Sequence, residues 1–303
     1  MRLLVLAILV FAVAACKDDS TSRQTLTDLE LQILDSIHQN EGEFALIFKS
    51  LDSVGQAIYI NKKAMFHAAS TMKTPVMIEA YKRAHEGSLS LEDTLTVTTQ
   101  FRSIVDSSWY ELTPDADSEL ELYHQIGQPR SIRELIEDMI TESSNIATNM
   151  LVQHLGGEHI TRSMRELGAK DMHVLRGVED IKAFEQSLSN MTNAQSLLVI
   201  FEKLAMGEVV SQEASAEMVE ILKRQKFRDV IPAKLPGNVE VAHKTGTLSQ
   251  AHHDSGIVYL PDGRKYVLVM LSKNLLDFDR TTELLSNLSK MIFDYMEDQE
   301  SSS

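Results

Sequence analysis

Ser70-Thr71-Met72-Lys73 is the stretch on which the reading of this chain turns, because two later strings complete it: Ser143-Ser144-Asn145 and Lys244-Thr245-Gly246. On a helix, residues three apart share a face with Cβ atoms about 5–6 Å from one another, so a helix starting near Ser70 sets a hydroxyl beside an amine. A serine hydroxyl is a weak nucleophile until a neighbouring base takes its proton. An unperturbed lysine has a pKa of about 10.4, so Lys73 serves as that base only if it is partly desolvated or faces another cation. Lys244 is the candidate cation. A helix start at Ser70 also turns its backbone N–H toward any oxyanion formed there. Read singly, Ser70 is a helix cap and Lys73 a solvated side chain; the three strings taken in order point to catalysis.

Working outward, a helix is expected from near Thr27, where Leu29, Ile33 and Ile37 recur at every fourth position. Glu43 to Ser50 and Gln56 to Asn61 are strand-like and joined by Asp52-Ser53-Val54-Gly55, as in a hairpin. Val76 to Glu86 reads as a helix stopped by Gly87. From about Ser88 to Leu235 the pattern is helices and loops, with helices expected over 131–140, 145–155, 159–167, 192–205 and 211–224. Strands return at 239–244, 255–260 and 265–272, the last two joined by Pro261-Asp262-Gly263, and a helix over 279–296 closes the chain. Strands at both ends with helices between them predict an α+β fold: an antiparallel sheet built from both termini, flanked by helices, with an all-helical insertion.

The surrounding residues sharpen the chemistry. Phe66-His67-Ala68-Ala69 and Pro75-Val76-Met77 flank the Ser70 string, and Met139 to Leu151, followed by Gly156-Gly157, carries the second. These runs resemble the active-site segments of class A β-lactamases, within the penicillin-recognising serine hydrolases, over roughly residues 26 to 296. The resemblance implies Ser70 as nucleophile, Lys73 as base and Ser143 as the relay that protonates the leaving nitrogen. It implies Asn145 as a partner of the substrate amide and of Lys73. Lys244, Thr245 and Thr247 would bind the substrate carboxylate, with Gly246 keeping bulk off the strand and the N–H groups of Ser70 and Thr247 forming the oxyanion hole. Ser144 departs from the family, which usually has Asp there, although a serine still caps a helix.

A β-lactamase must also hydrolyse its acyl-enzyme, and class A enzymes use a loop glutamate to activate the water. The corresponding stretch is Arg176-Gly177-Val178-Glu179-Asp180-Ile181-Lys182-Ala183-Phe184-Glu185, where Glu179 is the first candidate and Glu185 a weaker one. Ala183 stands where the family's asparagine is expected. The expected function is a serine β-lactamase of the class A type conferring resistance; the alternatives are a DD-peptidase or transpeptidase acting on peptidoglycan stem peptides, and a sensor that binds without turnover. The expected partner is a β-lactam or a stem peptide, with no cofactor and no metal. His252-His253-Asp254 does not make a metal site, because neighbouring strand residues point to opposite faces. Trp109-Tyr110 forms either an aromatic wall over the cleft or ordinary core.

Arg2, the apolar run Leu3 to Val13 and Ala14-Ala15-Cys16 have the form of an export leader, too short to span a bilayer. Its end resembles a bacterial lipobox, which implies lipidation of Cys16, the sole cysteine. The expected division is a lipoprotein leader over 1–15, a flexible tether over 16–25, a catalytic domain over 26–297 with its helical part at about 88–235, and a polar tail over 298–303. The protein is expected to be exported, periplasmic, held to a membrane through Cys16, and monomeric. Across 303 residues, 43% are hydrophobic and 24% charged, ordinary for a globular chain. A net charge of -15 without a basic stripe argues against a nucleic-acid partner.

Overall fold

The structure, a computed structural model, describes residues 24–52 and 56–299. The leader over 1–15, Cys16, most of the tether, the turn residues 53–55 and most of the polar tail lie outside the described residues.

The chain enters through α1 (Leu26–His38), whose start is fixed by a capping box between Thr25 and Asp28. Strands β1 (Glu43–Ser50), β2 (Ala57–Ile60) and the short β3 (Phe66–His67) follow, then a 3-10 turn (Ala69–Met72) that runs straight into α2 (Lys73–His85). Pro75 falls in the first turn of α2, where its missing N–H costs no helical bond. Beyond α2 come β4 (Thr94–Thr96), β5 (Gln100–Arg102), β6 (Trp109–Glu111), β7 (Pro129–Ser131), α3 (Ile132–Thr141), α4 (Asn145–Leu155) and α5 (Gly157–Leu167). The five-residue α6 (Ile181–Glu185), β8 (Met191–Thr192), α7 (Ala194–Ala205) and α8 (Gln212–Lys223) lead to β9 (Glu240–Leu248), β10 (Ala251–Tyr259), β11 (Lys265–Lys273) and the closing α9 (Phe278–Asp298).

The main sheet runs β2-β1-β11-β10-β9, antiparallel throughout. The expected α+β fold with a sheet from both termini is therefore what forms. Alternation along the strands gives the sheet two cores. Val267, Val269 and Leu271 of β11, with Ala45 and Ile47 of β1, pack toward the helices α2–α5, α7 and α8. Their neighbours Tyr266, Leu268 and Met270, with Phe44, Leu46 and Phe48, pack toward α1 and α9. From Lys73 to Tyr81 every residue of α2 is buried, as befits a helix enclosed on all sides.

The segment between the two strand groups is less purely helical than its sequence pattern. It contains two isolated pairs, β4 with β7 and β5 with β6, and a third between β3 and β8. Strand β10 starts at Ala251 rather than Ser255, so the His252-His253-Asp254 run is part of the sheet.

Candidate active site

Three elements converge on one cavity of about 320 Å³, lined among others by Ser70, Asn145, Val178, Glu179, Phe184 and Thr247. Ser70 sits in the 3-10 turn directly before α2, and the residue ahead of it, Ala69, is held at φ 45°. A non-glycine residue in that region carries strain that its surroundings must hold in place. The holding bonds are visible. His67 Nδ1 accepts from Ala69 N at 3.0 Å, and His253 Nε2 of β10 donates to His67 O at 2.9 Å. His253 Nδ1 in turn accepts from Ser272 N at 3.2 Å, which fixes a neutral tautomer. Burial pushes the His253 pKa down to about 4, consistent with that state.

Lys73 opens α2 with no exposed surface. Its Nζ donates to Ser143 O at 2.7 Å, to Ser143 Oγ at 3.1 Å and to Asn145 Oδ1 at 2.9 Å. Lys244, equally buried on β9, donates to the same Ser143 Oγ at 3.1 Å and to Thr245 O at 3.1 Å. One hydroxyl is thus shared by two amines. Burial lowers the Lys73 pKa well below the usual lysine value, the Lys244 charge lowers it further, and Asp117 works in the opposite direction. Burial likewise takes Lys244 down to about 7 against the pull of Asp254. When Lys73 is neutral, Ser143 Oγ–H is the one group among its three partners able to donate to the amine lone pair.

Gly246 explains how β9 comes so close to Ser70. A Cβ there would lie 3.1 Å from Thr71 Cγ2, 3.2 Å from Ala69 Cβ and 3.2 Å from Ser70 N. Thr245 is buried, whereas Thr247 is exposed at the cavity, on the edge strand of the sheet. Ser143 at φ 57° reverses the chain ahead of α4, and Ser144 caps that helix by accepting from Ala147 N at 3.2 Å.

Across the cavity, Asn149 of α4 grips the loop that follows Arg176. Its Oδ1 accepts from Val178 N at 2.6 Å, while its Nδ2 donates to Val178 O at 3.0 Å and to Tyr110 OH at 3.2 Å. Gly177 makes room, since a Cβ there would meet Asn149 Oδ1 at 2.2 Å. Arg176 is buried and ties the loop through its Nε to Leu188 O and its Nη1 to Gly177 O. Glu179, next along, has φ 58° and an exposed side chain. It lines the cavity, but its carboxylate is bonded to none of Ser70, Lys73 and Asn145. Asp180 faces inward, accepting from Ser103 Oγ and Ile104 N and capping α6. Ala183 is buried in α6 and Glu185 ends it.

The remaining candidates separate. His252 bonds Thr282 Oγ1 and stacks on Phe278, and Asp254 pairs with His243 Nδ1 at 2.9 Å and accepts from Ile231 N. Among the described residues no group of three acids, histidines or cysteines is placed to hold a metal ion. Trp109 is exposed beneath the Arg102 guanidinium, 3.7 Å from its ring centre, while Tyr110 braces the Val178 loop through Val178 O at 3.2 Å. Sequence reasoning assigned no role to Asn149, Arg176, Asn190 or Asp117. Asn149 follows Asn145 by one helical turn, a spacing that places both on one face of α4. Asp117 gave no local signal.

Comparison with known proteins shows the family and the fold. The model of the Beta-lactamase enzyme family matches residues 28–296. A curated β-lactamase of Bacteroides uniformis is 22% identical over 255 residues, covering 80% of this chain and 83% of that protein. Among solved structures, PBP-A is 27% identical with a TM-score of 0.78, covering 91% of this chain and 98% of that one. Its L158E mutant, solved as an acyl-enzyme complex with penicillin G, is similar to this chain at the same identity with a TM-score of 0.77.

Proposed function

The chain belongs to the beta-lactamase enzyme family, and from that premise we propose that it is a serine β-lactamase of the class A type, hydrolysing the β-lactam amide through an ester on Ser70. The observation that carries the reading is the single hydroxyl of Ser143 held 3.1 Å from two buried amines, Lys73 and Lys244, beside the cavity that Ser70 lines.

Neutral Lys73 takes the Ser70 proton as Oγ attacks the carbonyl carbon, and the oxyanion forms against the N–H groups of Ser70 and Thr247. Ser143 passes a proton from the Lys73 ammonium to the ring nitrogen as the C–N bond breaks, leaving the ester on Ser70. Asn145 orients the substrate amide. Lys244 as a cation, with Thr245 and Thr247, holds the substrate carboxylate, and Gly246 admits it. Water then attacks the ester with Glu179 as the base and regenerates Ser70. The chemistry of this donor set calls for no cofactor. Ser70→Ala should abolish covalent labelling by a fluorescent penicillin, and labelling at an unchanged rate in that variant refutes the assignment of the nucleophile.

One observation favours a second reading, in which the enzyme acts on peptidoglycan stem peptides and releases penicillin slowly. The loop residue that Asn149 clamps is the apolar Val178, and the Glu179 carboxylate is bonded to none of the reacting groups. Glu179→Gln separates the two. Trapped acyl-enzyme in that variant supports the β-lactamase reading, and unchanged turnover removes Glu179 as the base.

The leader pattern over residues 1–15 supports an exported, periplasm-facing lipoprotein anchored through Cys16; on our reading residues 16–25 are then the tether, 26–297 a monomeric catalytic domain and 298–303 a polar tail. Cys16→Ala should then release the protein from the membrane fraction.

A further inference from the structure

The Ser143-Ser144-Asn145 turn is held by a carboxylate that belongs to none of its residues. Ser144 offers a hydroxyl and satisfies one N–H of α4, that of Ala147. The first two N–H groups of the helix turn elsewhere: Asp117 Oδ1 accepts from Asn145 N at 2.8 Å and Asp117 Oδ2 from Ile146 N at 2.9 Å. A carboxylate spanning two free N–H groups at a helix start is favoured by both hydrogen bonding and the dipole. Its neighbours join the grip. Ala116 O accepts from Asn145 Nδ2 at 2.6 Å, and Ser118 Oγ lies 2.7 Å from Glu142 O and 3.1 Å from Ser143 O. Ser143 O and Asn145 Oδ1 are the very atoms that receive Lys73 Nζ.

We propose that Asp117 is a positioning residue for the reaction at Ser70: from a loop 28 residues upstream it fixes the Ser143–Asn145 turn beneath Lys73 and balances the charge of the buried lysine pair. The proposal rests on the assignment of Ser70 as nucleophile and Lys73 as base. The charged groups around Lys73 are Lys244 from β9 and Asp117 from this loop, with Asp254 of β10 beyond Lys244 and Glu179 across the cavity. Ser143 and Asn145, its direct partners, are neutral. Asp117 therefore has a double effect. It holds geometry, and its negative charge favours the Lys73 ammonium over the amine.

The two effects separate in a pH profile of acylation by benzylpenicillin, followed by intact mass on the full domain. Asp117→Ala should slow acylation at neutral pH about 10- to 100-fold, the scale on which misplaced catalytic groups act. Asp117→Asn keeps the shape and one acceptor oxygen and should lose less. In both variants the acid limb should move to lower pH, because Lys73 without the nearby carboxylate gives up its proton more readily. The ratio of variant to wild-type rate then rises as the pH falls. Equal acylation by Asp117→Asn and wild type at every pH overturns the proposal, and so does a uniform loss with an unmoved limb. Wild type left unlabelled, or a labelled Ser70→Ala control, means instead that the underlying assignment has failed.

Discussion

Ser143 Oγ stands at 3.1 Å from Lys73 Nζ and from Lys244 Nζ, and neither amine touches solvent. Two ammonium ions in such a place repel each other and lose hydration, so one of them must work near its neutral form at ordinary pH. The pH dependence follows with a definite sign. Lys244, brought to about 7, is a cation below that pH and can hold a substrate carboxylate there. The second-order rate of acylation, which reports free-enzyme groups, should therefore fall as pH rises through about 7. It should fall on the acid side as Lys73 becomes protonated. A flat profile from pH 5 to 9 contradicts this reading. The same strain is a stability cost. A lysine whose folded pKa is depressed binds more protons unfolded than folded, so stability is lost as pH falls below the unfolded value. Lys244→Met should remove acylation while raising the melting temperature, by about 2–4 °C per kcal/mol of desolvation relieved. The lysines and serines were legible because short spacing rules bind them to one another. Asp117 was not, since its two bonds reach a helix 28 residues away and leave no periodic trace.

Three elements bring those residues together, and each does so at a point of strain or close approach. Ala69, Ser143 and Glu179 all hold positive φ, a pattern that gathers at functional sites. Strand β9 approaches the 3-10 turn because Gly246 has no Cβ, and Gly246→Ala places a methyl 3.2 Å from Ser70 N. That contact is tight enough to push the strand outward. The expected result is a destabilisation of about 1–3 kcal/mol with a fall in acylation larger than the thermal shift explains, measured by melting and by labelling rate on one preparation. Asn149→Ala should free both backbone groups of Val178, leave acylation within severalfold and change the lifetime of the acyl-enzyme; an unchanged lifetime sets the clamp outside the reaction. At this scale the long elements were readable, as in α4, whose bounds fall where its capped start and glycine stop put them. The pairs β3 with β8, β4 with β7 and β5 with β6 were not. Each is two or three residues long, too short for alternation to show, and each exists only because a distant partner arrives.

At the scale of the whole molecule, the sheet is the frame from which the site hangs. Its two faces carry separate cores, one against α1 and α9 and one against helices that include α2 with Lys73 and α4 with Asn145 and Asn149. Ser70 lies at the seam between β9 and α2, where both halves contribute. The α+β architecture could be anticipated because hydrophobic alternation at both ends and helical periodicity between them are patterns of many residues. The course of the loop from Arg176 to Asn190 could not, because it is held by Asn149 reaching Val178 from α4 and by Arg176 and Asn190, whose side chains bond backbone 12 and 14 residues away at the loop's other end. Whether that loop delivers water to the ester is the question on which the function turns. The most direct measurement is the intact mass of the domain against time after mixing with benzylpenicillin, with release of the opened drug followed in parallel. A transient adduct on Ser70 with product accumulating over many turnovers is the expected result. A stable adduct at one equivalent, with no product beyond it, would contradict hydrolysis and leave a penicillin-binding peptidase.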